Sequence, residues 1–162
     1  MTNVDSVSAL QSRQPSLPGL LRAARATYGR AIRTALEHAG FADIPGNGLH
    51  VIAAVARAEQ AMAHLITTLT MSKQATGQLV DVLVARGYVE RVADPGDRRR
   101  LRVQASARGR AAAAVIGAAV ATVDAELARR LPANVIEHAR TMLLELARMR
   151  AEPSGSTNEE SV

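Results

Sequence analysis

The sequence predicts a mainly α chain with one small β element, an α+β arrangement in a single domain. Three observations predict it. Apolar residues make up 48% of the 162 residues but aromatic ones only 2%, so the core must be built from Ala, Leu, Val and Ile, which favours helices. Apolar positions recur at helical spacing in six separate segments. Between the fourth and fifth segments the spacing becomes alternating over residues 88–105, with Pro95-Gly96 in its middle.

Residues 1–16 are polar and read as a flexible arm, and 17–150 as the domain. The first helix starts at Leu17, with Pro18 in the first turn, and runs through Leu20, Leu21, Ala24, Tyr28, Ile32 and Leu36 to a terminal Gly40. Arg22, Arg25, Arg30 and Arg33 fall on its other side. The turn-rich DIPGNG, 43–48, precedes a short second helix over 49–58. A third helix is predicted over 61–69, with Met62, Leu65, Ile66 and Leu69 in register.

Ser72 can cap a fourth helix, which runs from Lys73 to about Arg86 and stops at Gly87. Ala75, Thr76, Leu79, Val80, Leu83 and Val84 share its inner face, and Gln74, Gly77, Gln78 and Asp81 the opposite one. YVERVA, 88–93, and LRVQA, 101–105, alternate around the turn DPGDRRR and form a hairpin with Arg98, Arg99 and Arg100 at its tip. Ser106 opens a long Ala-rich helix that ends before Pro132. Ile136, Ala139, Met142, Leu143, Leu146 and Met149 mark the last helix, and 151–162 read as a disordered tail.

Charge adds a functional constraint. Nineteen of the twenty basic residues are Arg, the exception being Lys73. Residues 1–71 carry net +2, 72–110 net +5 and 111–162 net −2. A basic segment between near-neutral and acidic ones is the footprint of a polyanion-binding surface; an Arg-rich solvated surface fits the same numbers. The chain has no Cys, which excludes disulfides and thiolate metal sites. With no apolar leader and no run of about 18 apolar residues, no membrane association is expected and a cytoplasmic location is. Nucleotide-binding glycine motifs and His-Glu-x-x-His are absent, and Asp124 and Glu126, two apart on a helix, face different ways. No enzyme activity and no cofactor are expected.

Two short helices joined by a tight turn form a helix-turn-helix or an ordinary αα-hairpin. The arginine-tipped hairpin directly after the second makes the unit a winged helix, over about 47–105. The run MSKQATGQLVDVLVARGYVERVADPGDRRRLRVQASARGRA, 71–111, then resembles the core of the MarR family of bacterial regulators. The matching positions are Ser72, Leu79-Val80-Asp81, Gly87-Tyr88-Val89-Glu90-Arg91, Asp94-Pro95-Gly96-Asp97-Arg98-Arg99 and Ala105-Ser106-Ala107-Arg108-Gly109. The helix layout from 17 to 150 agrees. Departures from the family pattern are Ala61 for a capping Thr, Ile66 for a small residue, Thr70 for the turn glycine, Thr76 for a core Val and Ala105 for Leu.

The resemblance implies six helices with a β wing, and dimerisation helices from both termini, about 17–40 and 106–150. It implies a homodimeric regulator, read as a repressor, on a pseudo-palindromic duplex, with reading heads about 34 Å apart. The fourth helix would enter the major groove. There Gln74 and Gln78 can pair with adenine edges and Lys73 with guanine or phosphate; Ser72 can donate to phosphate, and Gly77 allows close backbone approach. The family places a DNA-contacting arginine at Arg99, flanked here by Arg98 and Arg100, for the minor groove. A small-molecule effector is expected in a crevice lined by Tyr28, Ile32, His38, Phe41, His50 and His64. Those histidines have no i, i+4 pair, so no metal site is assigned. A metal-responsive regulator and a non-specific nucleoid-type DNA-binding protein are the alternative readings.

Overall fold

The computed structural model describes residues 15–69, 71–97 and 100–151. The order is α1 (Leu17–His38), α2 (Gly48–Arg57), β1 (Gln60–Ala61), α3 (Met62–Leu69), α4 (Lys73–Ala85), β2 (Val89–Ala93), β3 (Leu101–Ala105), α5 (Ala107–Arg130) and α6 (Ala133–Ala151). The six helices and the wing thus stand where the apolar periods put them. The predicted flexible arm and tail lie, but for Pro15, Ser16 and Ala151, outside the described residues. Two compact units divide the chain at Val123 and Asp124.

Two helices of the first unit end in the same way. Gly40 has φ +80 and Gly87 φ +71, left-handed values that glycine adopts without Cβ strain. Phe41 N–H then donates to Leu36 C=O at 2.8 Å, and Tyr88 N–H to Leu83 C=O at 2.9 Å. Each is a Schellman closure, and each directs an aromatic residue back along its helix. At the other end of α1, the Ser16 hydroxyl accepts from Gly19 N–H at 3.3 Å.

The sheet has three antiparallel strands in the order β1-β3-β2, one more than the predicted hairpin. Gln60 pairs with Val103 and Ala61 with Arg102, so Ala61 belongs to a strand and α3 starts at Met62. Two residues are too few to show a period in sequence. Their extended backbone covers the otherwise open edge of β3. On the other edge, Val89 pairs with Ala105 and Ala93 with Leu101.

The core joins α2, α3, α4 and the sheet. Val51, Ile52, Leu65, Val80, Leu83, Tyr88, Val89 and Val103 are fully buried or nearly so. By length and composition α5 is apolar enough to cross a membrane, unlike anything assigned from sequence, but its Ala112, Ile116 and Ala119 are buried in this core. Its start is set by Ser106, whose hydroxyl accepts from Gly109 N–H at 3.0 Å and donates to Gly87 C=O at 2.6 Å. Gly109 lies so near the backbone that an added Cβ would stand 2.0 Å from Tyr88 O. The glycine of the 105–109 motif is therefore a packing requirement.

The second unit holds the end of α5 and all of α6. Glu126 pairs with Arg129 and, at 2.7 Å, with Arg130. Along α6, Val135, Met142, Leu143, Leu144, Leu146 and Met149 are exposed. A helix with that many exposed large apolar side chains is incomplete as a solvated surface.

Candidate nucleic-acid interface

Helix α4 is fixed from three sides, which leaves one face outward. At its start the Ser72 hydroxyl accepts from Ala75 N–H at 3.1 Å, satisfying one of the donors a helix start leaves open. Thr76, Leu79, Val80 and Leu83 are buried against the core. On the flank, Asp81 Oδ1 stands 2.6 Å from Arg91 Nη2, which ties the helix to β2. Lys73, Gln74 and Gln78 are exposed. A Cβ added at Gly77 would meet nothing within 4 Å, so the helix surface is open there. Ser72, Lys73, Gln74, Gly77 and Gln78 therefore lie together on or beside one solvent-facing stretch of α4.

The wing is braced at its base. Asp94 Oδ1 accepts from Gly96 N–H at 2.8 Å, an Asx-type closure of the turn. Asp94 N–H donates to Arg100 C=O at 2.9 Å. Arg102 lies 3.1 Å from Glu59 and 3.8 Å from Asp94, so the segment before β1 also holds the wing. Arg100 is exposed, with Nε 3.4 Å from Asp97. Arg98 and Arg99 lie outside the described residues, as does Thr70.

A cluster that the sequence did not announce sits behind α4. Tyr88, fully buried as a residue, donates its hydroxyl to Asp43. Arg108 Nη2 donates to Asp43 Oδ1 at 3.1 Å and to the Tyr88 hydroxyl at 3.0 Å. Its guanidinium also lies over the Tyr88 ring, 4.6 Å from the centroid. Arg86 donates to the Asp43 backbone carbonyl. Phe41 meets Tyr88 edge-on at 6.2 Å, so the two aromatics set by the Schellman closures are packed on each other. The Tyr88 hydrogen bond, with Arg108 and Arg86 nearby, holds the Asp43 carboxyl below the usual carboxylate range. Burial, aided by Asp43, pushes the Tyr88 phenol up. The partners are 20, 45 and 65 residues apart, so no local pattern could have signalled them.

A crevice of about 1040 Å³ opens between α1, α2 and α5 within the first unit. Tyr28, Ile32 and His50 line it. His38 instead borders a shallower groove with Thr27 and Thr34, Phe41 packs into the Asp43 cluster, and His64 is exposed on α3. The six residues assigned to an effector crevice are thus spread over four places. Among the described residues, no three His, Asp or Glu side chains gather into a metal-holding group.

A helix-turn-helix of α3 and α4, followed by the β2–β3 hairpin that β1 completes into a three-stranded sheet, defines the class: a winged-helix protein. Residues 42–100 match the sequence profile of the MarR family. Solved structures share the fold over nearly the whole chain. MarR from E. coli complexed with operator DNA, a mutant form, is 23% identical with a TM-score of 0.64, over 80% of this chain and 92% of that one. The transcriptional repressor CouR bound to a 23-mer DNA duplex is 21% identical with a TM-score of 0.65, over 82% and 92%. The transcriptional regulator BldR from Sulfolobus solfataricus is 19% identical with a TM-score of 0.62, over 91% and 99%. No curated protein matches the chain in sequence.

Proposed function

We propose that this chain is a cytoplasmic, homodimeric, sequence-specific DNA-binding regulator of transcription, a repressor by the family pattern. The observation that carries this reading is the outward stretch of α4. Lys73, Gln74 and Gln78 are exposed on a helix whose cap, inner face and flank are all held. A helix so fixed can present amide groups to base edges without first ordering them. The two similar proteins solved on DNA support the same reading. In it, Arg100 reaches phosphate or the minor groove, with Arg98 and Arg99 beside it, Arg99 in the position the family uses. The exposed apolar side chains of α6 and the Leu17, Leu20 and Leu21 stripe of α1 supply the dimer surface. A two-fold dimer requires a pseudo-palindromic site. The crevice lined by Tyr28, Ile32 and His50 is the effector site, and its occupant shifts the population of DNA-competent dimers.

The test is fluorescence anisotropy at ~0.15 M salt on the duplex upstream of the protein's own gene, beside a shuffled duplex of equal composition. A preference of about a thousandfold, saturating at one dimer per site, is expected. Equal binding to both duplexes would replace this reading with that of a non-specific nucleoid-type protein.

A further inference from the structure

Tyr88 is gripped at both ends. Its backbone carbonyl accepts from the Ser106 N–H and from the Ser106 hydroxyl, each at 3.1 Å, and Gly109 lies directly against it. Its ring is buried, with Phe41 edge-on and the Arg108 guanidinium over its face. Its hydroxyl donates to Asp43 and accepts from Arg108 at 3.0 Å. Arg108 and Asp43 meet each other at 3.1 Å. Tyr88 follows the Gly87 that stops α4, so all these contacts act on the end of the reading helix. Ser106 and Arg108 stand at the start of α5, whereas Phe41 and Asp43 stand in the loop after α1.

This is more fixing than packing requires. The Asp43 and Arg108 side chains are 45% exposed, so solvent screens their attraction and they add little stability. Apolar burial holds the Tyr88 ring but has no direction. Hydrogen bonds do have one, and the two on the hydroxyl set the angle of the ring. That angle matters because α4 is a lever. At 1.5 Å per residue, Gln74 stands about 21 Å along the helix from Tyr88, and a tilt of about 5° at the Tyr88 end moves it by about 2 Å. Such a shift breaks a hydrogen bond to a base edge. The core and the Asp81–Arg91 pair tie α4 to α2, α3 and the sheet. Asp43 brings in the loop after α1, the helix whose Leu17, Leu20 and Leu21 are exposed and form part of the dimer surface in the reading above. We propose that Asp43 and Arg108 are positioning residues for DNA recognition: acting through the Tyr88 hydroxyl, they set the angle of α4 to α1, and so the half-site spacing that a dimer accepts. This rests on the reading of the chain as a dimeric, sequence-specific regulator.

The experiment uses the full chain, the duplex upstream of its own gene, and copies of that duplex with one base pair inserted or removed between the half-sites. A shuffled duplex serves as the reference. Tyr88→Phe keeps the ring and removes both hydroxyl bonds; Arg108→Gln keeps the ring and the hydroxyl and removes the guanidinium. Each is measured well below its own thermal midpoint, at ~0.15 M salt. The parent should lose about thirtyfold or more in affinity on either altered spacing, since one base pair also turns a half-site by a tenth of a helical turn. Both variants should bind the unaltered duplex about tenfold more weakly, the order of one base-edge contact. Their penalty for altered spacing should shrink severalfold, and their affinity for the shuffled duplex should stay at the parent's. A merely structural role would lower affinity by one common factor on every spacing, and that result, or unchanged binding, would overturn the proposal. A parent that prefers its own duplex to the shuffled one yet accepts all three spacings would overturn it too, while leaving the regulator reading in place. A parent that binds own and shuffled duplexes equally would overturn the regulator reading, and the proposal with it.

Discussion

The two sides of the first unit treat their arginines in opposite ways. Behind and beside the reading helix, Arg91, Arg102 and Arg108 are each held by carboxylates from a different element. Around the crevice, Arg22, Arg25, Arg33 and Arg57 meet none among the described residues. Half-exposed ion pairs of the first kind contribute little to stability, because solvent screens them. They do fix where α4 and the wing stand relative to the sheet. The comparison teaches that charge here separates two sides: paired arginines tie α4 and the wing to their neighbours, and the crevice arginines stand without carboxylate partners among the described residues.

The same contrast runs along α5, and its two glycines give the largest predicted effect. At Gly109 an added Cβ would lie 2.0 Å from Tyr88 O, whereas at Gly117, on the crevice side, it would meet nothing within 4 Å. Gly109→Ala should destabilise by about 3 kcal/mol, since backbone must move to admit the methyl group. Gly117→Ala should instead stabilise by about 0.5–1 kcal/mol through helix propensity. Urea midpoints of the two variants check both signs. Equal effects would erase the distinction between a packed and an open side.

Next in size is the reading stretch itself. Gln74→Ala and Gln78→Ala should each weaken a cognate duplex by about 1–3 kcal/mol and relax base preference at one position. Neither side chain supports the core, so thermal midpoints should stay unchanged. A uniform loss on cognate and shuffled duplexes alike would assign the glutamines to backbone contact.

How much of this could be read in the sequence follows from range. The inner face of α4, its Ser72 cap and its Gly87 stop repeat every three or four residues or sit at fixed offsets, and local periodicity states them directly. Asp94 closing its own turn through Gly96 N–H is equally local. What escaped is non-local. Strand β1 is two residues whose pairing with Val103 and Arg102 is 41 or more positions away. The Asp43–Tyr88–Arg108 cluster joins the loop after α1, the residue before β2 and the start of α5, which no window of sequence contains. The crevice lining was only half legible: Tyr28 and Ile32 share a face of α1, but the pairing of that face with α2 and α5 arises in the fold. His38, six residues after Ile32, borders another groove.

Thr76 offers a smaller test of the packed side. It is fully buried on α4, and among the described residues its hydroxyl has no hydrogen-bond partner. An unpaired buried hydroxyl costs about 1–3 kcal/mol, and valine has the same branched shape. Thr76→Val should therefore stabilise the protein by about 1 kcal/mol while leaving DNA affinity unaltered, because the side chain faces away from the reading stretch. A loss of stability would mean that the hydroxyl has a partner in solution.

The smallest effect is expected at Asp43, and it is visible only as a pH dependence. The Tyr88 hydroxyl, with Arg108 and Arg86, favours the ionised carboxylate and so lowers its folded-state pKa. Unfolded, the group titrates near ~3.9. A group whose pKa is lower in the fold contributes stability that is complete above its unfolded value and is lost as pH falls through the folded one. Asp43→Asn keeps the shape but not the charge. The variant should be less stable than the parent at pH ~7, and the gap should close on acidification below the ordinary carboxylate range, about pH 4. Urea midpoints measured down that range decide it. A gap that persists at the acid end would make the contribution one of shape and hydrogen bonding, and Arg108 would then hold Tyr88 through its ring more than through Asp43. A gap that closes would place the paired-arginine side under the control of one carboxylate that joins the loop after α1 to the end of the reading helix and the start of α5.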